Sequence, residues 1–135
     1  MAKFAATDFA ITLNGTSLSN AIHGCTLDIS SNELDSTTFG NTYKTAQGGI
    51  VSGTVKLDFY QDFAAGAVDA TIWPLINTIA TVTIVPTSAT VSATNPKYTA
   101  TVLINAYQPL NANIGDLAGF SVTWPTTGTV VRGTV

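Results

Sequence analysis

Charge is what this chain has least of. Lys, Arg, Asp and Glu make up 10% of its 135 residues, against roughly 25% in an ordinary soluble domain. The deficit is uneven, because beyond Asp69 only Lys97, Asp116 and Arg132 are charged. The formal net charge is −3, so nothing supports a nucleic-acid clamp or an electrostatic membrane anchor. A single cysteine, Cys25, excludes an internal disulfide framework. No run reaches the roughly 20 apolar residues of a membrane span. The uncharged stretch 70–96 is broken by Pro74, Asn77, Pro86, Asn95 and many hydroxyl residues. The opening MAKFAATDFAITL lacks the apolar core of an export signal, since Thr7 and Asp8 interrupt it. The expectation is synthesis in a reducing cytoplasm, with no export by a classical N-terminal signal.

A soluble chain with so little charge has weak colloidal protection. Either partners cover much of its surface, which points to self-assembly, or it is a small monomeric β-domain coated with threonine. Its length fits one domain over residues 1–135.

What is present is alternation with period two. Phe9, Ile11 and Leu13 share one face, followed by Asn14-Gly15, the preferred dipeptide of a type I′ turn. Cys25, Leu27 and Ile29 alternate with Thr26, Asp28 and Ser30. Val51, Gly53, Val55, Leu57 and Phe59 alternate with polar residues and Tyr60. Val82 with Ile84, Tyr98 through Ala106, and Phe120 with Val122 and Trp124 repeat the pattern. One segment departs from it. In DFAAGAVDATIWPLINTIA, the residues Val68, Ile72, Leu75, Ile76 and Ile79 form one helical stripe. Asp62 is placed to cap it, and Pro74 to kink or split it. The fold expected is mainly β: a β-sandwich or barrel with one helix packed against it.

Two connections are long. Residues 86–97, PTSATVSATNPK, are rich in small side chains. Residues 37–53, TTFGNTYKTAQGGIVSG, carry Phe39 and Tyr43 but a single charge, Lys44. That is too long for a turn and too aromatic for a spacer.

Catalytic readings find little footing. His23, Cys25 and Asp28 form an H-x-C-x-x-D cluster, but alternation puts Asp28 on the face opposite His23 and Cys25. No base-orienting group accompanies a Cys25–His23 dyad. Asp58 and Asp62 are better explained as a solvated strand end than as an acid/base pair. Gly48, Gly49 and Gly53 lack the phosphate-loop pattern and precede a strand. Asn14-Gly15-Thr16 matches a glycosylation sequon but reads first as the turn. Trp73, Tyr98, Tyr107, Phe120 and Trp124 lack the interleaved basic residues of a single-strand platform. The expectation is a non-enzyme without metal or cofactor.

Three stretches carry a family resemblance: NELDSTTFGNTYKTAQGGIVSGTVKLDFYQDF, with Asp35, Thr37, Gly49, Gly53 and Asp58 in a loose D-x-T…G…G…D pattern; NPKYTATVLINAYQP; and GDLAGFSVTWPTTGTVVR. In these and in its order of elements the chain resembles the major tail (tail tube) proteins of long-tailed bacteriophages, particularly the short ones of phages infecting actinobacteria. The same barrel-plus-helix fold is shared with head–tail connection proteins, tail terminators and secretion tube proteins. The resemblance implies a tail-tube-like fold with a long β-hairpin loop. It implies hexameric rings whose inner strands join into a barrel, stacked into a hollow tube in the virion tail and assembled in the host bacterial cytoplasm. DNA passes through without specific binding, and no membrane is involved. Partners would be further copies of itself and the tape measure, tail terminator and distal tail proteins.

On that reading the long connection is an arm reaching the adjacent ring, carried by Thr37, Thr38, Phe39, Gly40, Asn41, Tyr43, Lys44, Gln47, Gly48 and Gly49. Asp28, Asp58 and Asp116 are candidates to face the lumen, where a conduit for DNA should avoid binding phosphate. The alternatives are a capsid decoration or head–tail adaptor or terminator protein and, from the Trp and Tyr residues alone, a sugar-binding β-sandwich.

Overall fold

A computed structural model describes residues 7–135, so the first six residues of the stretch read for an export signal lie outside them. The chain is mainly β, in two antiparallel sheets. Its strands are β1 (Ala10–Leu13), β2 (Thr16–Ser17), β3 (Ile22–Asp35), β4 (Ala46–Tyr60), β5 (Ile79–Val85), β6 (Lys97–Leu103), β7 (Gly119–Pro125) and β8 (Val131–Gly133). One sheet has the order β2-β1-β5-β6-β8 and the other β3-β4-β7. Two sheets face each other as a sandwich; among the described residues they do not close into a barrel.

The alternating residues meet as their period requires. Ile11, Leu13, Val82, Ile84, Ala100 and Val102 from the first sheet pack against Val55, Leu57, Phe59, Phe120, Val122 and Trp124 from the second. Phe59 stacks on Phe120 with centroids 4.9 Å apart, and Tyr107 meets Phe120 edge-on at 5.1 Å. Trp124, fully buried, donates its indole N–H to the Ala106 carbonyl at 2.9 Å. That bond satisfies the one polar atom such a ring brings into a core. Asn14 and Gly15 both have positive φ, 52° and 90°, as a type I′ turn demands.

The helix is shorter than its apolar stripe suggests. α1 covers Val68–Ile72 and passes into a 3-10 turn over Trp73–Leu75. Val68 and Ile72 are buried, but Ile76 is exposed and Ile79 opens β5. Pro74 explains the end of the α-helical ladder, because it cannot donate a backbone bond; Trp73 before it keeps helical angles, and the chain leaves them at Ile76. Asp62 does not cap the helix. Its carboxylate instead accepts from the Ala64 N–H at 2.9 Å, and Ala67 is the N-cap. The 86–96 connection folds on itself around buried Asn95, whose amide donates to the Ala89 and Thr90 carbonyls.

Candidate functional site

The expected connection at 37–53 is shorter than the sequence suggests. Residues 46–53 belong to β4 and pair with β3 as far as Ala46 with Asp35. Only residues 36–45 form the loop. β7 covers β4 from Thr54 to Tyr60 and no further. Beyond Thr54 the β3–β4 hairpin is a two-stranded ribbon, about 25 Å long at roughly 3.3 Å per residue.

Its faces follow from the register. Ile29 pairs with Gly53, Ser31 with Val51, and Leu34 with Gln47. The extra residue at Asn32, where the ladder shifts between Ser31 and Glu33, is accommodated by Gly49. A Cβ there would lie 3.1 Å from both the Asn32 side chain and its carbonyl. Ile29, Val51 and Leu34 therefore prolong the face that carries Leu27, Val55 and Leu57 in the core. Here the face opens to solvent: Ile29 lines the edge of an apolar cleft with Phe9, Pro86 and Tyr98, and the three are 51%, 64% and 52% exposed. Ile50 stands exposed on the other face. A two-stranded hairpin is marginal in water without a third strand or a packed face.

The tip is nevertheless built. Ser36 bonds Thr45 through backbone and hydroxyl, at 3.1 and 3.0 Å. The Thr37 hydroxyl accepts from the Thr45 N–H at 2.9 Å, and the Asp35 carboxylate from the Thr37 N–H at 2.9 Å. Thr37, through its side chain first and its backbone N–H second, holds the Asp35 carboxyl below its usual range. Asn41 donates to Thr38, and Gly40 turns the chain with φ 92°. Lys44 pairs with Glu33 at 3.4 Å, both exposed. This polar frame holds Phe39 fully exposed and Tyr43 84% exposed. Thr37 to Lys44 thus gather at the tip, while Gln47, Gly48 and Gly49 lie in the shaft.

Asp28 and Asp58 share the outer face of the β3-β4-β7 sheet with Thr26, Lys56, Ser121 and Thr123, since each alternates with a core residue. The Ser121 hydroxyl donates to Asp58. Asp116 does not join them on the strands. It lies in the connection 104–118, which approaches the Tyr60 end of the sheet through Gln61 N–H to the Ala118 carbonyl and Gly119 N–H to the Asn111 carbonyl.

His23 departs from its expected face. The ladder shifts between Ile22 and Gly24, and His23, exposed in the bulge, stacks on Tyr60 with centroids 4.2 Å apart. It no longer shares a face with Cys25, whose thiol is raised to about 11 by burial and then by the charge of Asp58. Among the described residues no group of three or more His, Cys, Asp or Glu side chains gathers to hold a metal ion, and no helix is long and apolar enough to cross a membrane. Of the two tryptophans only Trp73 is exposed, so they make no shared aromatic platform. No family model and no curated protein matches the chain.

Sequence reasoning missed the shaft residues Ile29, Leu34, Ile50 and Val51 as surface. The available signal was a mismatch of lengths: β3 and β4 run to 14 and 15 residues, and their only other neighbour in the sheet, β7, to 7.

Proposed function

We propose that this chain is a structural virion protein that assembles with copies of itself into stacked hexameric rings, forming a hollow phage tail tube through which DNA is delivered. The observation that carries the reading is the arm: a ribbon about 25 Å long that shows apolar side chains to solvent on its shaft and two aromatic rings at its tip. Aromatics on an ordered loop offer large contact area with few torsions to freeze.

The sheet edges supply the lateral contacts. β3 and β7 are the two edges of their sheet, and an unpaired edge is a template for another strand. Edge-to-edge addition of copies would turn the face bearing Asp28 and Asp58 inward as the lumen wall. A wall of hydroxyls and carboxylates, with Lys56 as the only cation on the strands of that face, would repel phosphate rather than hold it. Further partners on this reading are the tape measure, terminator and distal tail proteins at the tube's ends.

The test is sedimentation and light scattering of the purified chain across concentrations, with negative-stain imaging. Sixfold rings and hollow rods are expected. Trimers that bind capsids, or a ring that never stacks, would assign it a decoration or adaptor role instead.

A further inference from the structure

The end of the β3-β4-β7 sheet opposite the arm is apolar too. The connection 104–118 has no regular secondary structure, and loops of that length in compact domains are uncommon and usually either functional or disordered. It exposes Leu110 at 85%, Ile114 at 106% and Leu117 at 77%, and beside it Phe63 stands 60% exposed after β4. The segment is nevertheless held in place. The Gln61 amide donates to the Pro109 carbonyl at 2.8 Å and to the Tyr107 hydroxyl at 3.0 Å, which in turn donates to Asp69 at 2.7 Å.

β4 runs from the arm at Ala46 to this pole at Tyr60, where β7 begins opposite it at Gly119. One end of the sheet therefore carries a projecting apolar element, and the other an apolar surface exposed to solvent. We infer that the 104–118 connection is the receptor for the arm of a second copy, so that the chain joins head to tail. This deepens the arm reading above and rests on it.

Area supports that occupant. A standard interface takes about 800 Å² from each partner, somewhat over half of it apolar, or roughly 450 Å². The three aliphatic side chains supply on the order of 60–120 Å² each and Phe63 about 150 Å², which together reach that range. The arm matches it, with Phe39 and Tyr43 at about 150–250 Å² each. Gln108, Asn111 and Asn113 beside the aliphatic residues suit a polar rim. Joining two different patches of one chain leaves a free patch at each end, so growth is open along one axis.

Two variants separate the alternatives. One carries Phe39→Ser and Tyr43→Ser, the other Leu110→Ser, Ile114→Ser and Leu117→Ser. All five side chains are largely exposed, and circular dichroism checks that both variants fold. In sedimentation velocity each variant alone should associate axially at least 100-fold more weakly than the parent. Assembled separately and then mixed in equal amounts, the two should gain mass and stop at one doubling, because one supplies the only intact arm and the other the only intact receptor. If the receptor variant stacks as the parent does while the arm variant does not, this inference falls and the arm reading stands. If both stack normally, both fall. Pairing by either variant alone, a mixture that does not pair, or a parent that stays monomeric to about 1 mM would each overturn the head-to-tail scheme.

Discussion

Replacing Ile29, Leu34 and Val51 together by threonine tests whether the arm's shaft waits for a partner. Each of the three has about half its surface in water, at 51%, 52% and 64%. Fully burying such a side chain is worth about 1.5–3 kcal/mol. The half that remains to be covered is then worth about 1 kcal/mol, or about 3 kcal/mol per arm. At 1.4 kcal/mol per tenfold, the concentration at which copies associate through this face should rise about 100-fold. The free chain should scarcely notice. Surface substitutions fall within about 0.5 kcal/mol each, and threonine suits a strand, so the melting temperature should move by no more than about 5 °C. Sedimentation velocity over a dilution series reads the first quantity, and differential scanning calorimetry below the association threshold reads the second. A fall of about 10 °C or more would mean that the face already packs against its own chain. Association at the parent's concentration would mean that no partner covers it. Either result refutes the reasoning.

Gly53→Ala should loosen the root of the arm, because a Cβ there would lie 2.7 Å from the Asp28 carbonyl oxygen. Backbone cannot step aside as a side chain does, so a cost of about 1–3 kcal/mol in thermal unfolding is expected. Tyr107 is raised to about 12, first by burial and then by its bond to Asp69. A phenol whose folded value exceeds the unfolded 10 favours the native state fully below pH 10 and loses that contribution as pH climbs to about 12. Denaturant titrations should show a larger loss over this range in the parent than in Tyr107→Phe. Cys25, raised to about 11 from 9.0, holds little thiolate near neutrality, so its alkylation at pH 8 should be on the order of 10–100 times slower than that of a free thiol.

The parts of the fold legible in the sequence are those where local chemistry and tertiary need coincide. Asn14-Gly15 fixes a turn because few dipeptides accept two positive φ angles. Phe120, Val122 and Trp124 alternate because one face of β7 meets the core. The arm was legible as an unusual loop, and the aromatics at its tip were found. Its true length was hidden, since alternation in Ile29 and Val51 looks the same whether the face meets a core or solvent. Only the register, ending for β7 at the Thr54 pair, separates the two. The helix was overread for a related reason. Ile76 and Ile79 keep the helical spacing by coincidence, and Pro74 decides against it. β8, at Val131–Gly133, gave no signal because three residues are too few to show a period.

The same limit bears on Leu110, Ile114 and Leu117. Their connection has no period, so sequence pattern assigns them to no face, and an aliphatic residue in a polar loop passes as ordinary. Their meaning comes from position. The exposed apolar residues of the arm and those of the 104–118 connection occupy opposite ends of one sheet, and between them the strands turn a polar face outward. A monomer gains nothing from holding apolar surface at both ends while keeping its charge to 10% of residues. A chain whose ends cover one another needs little charge, since the surfaces that would otherwise make it aggregate are those it uses to associate in order. On the head-to-tail scheme the scarcity of charge and the two apolar poles have one physical cause, and removing either pole should leave the other without the surface that it covers.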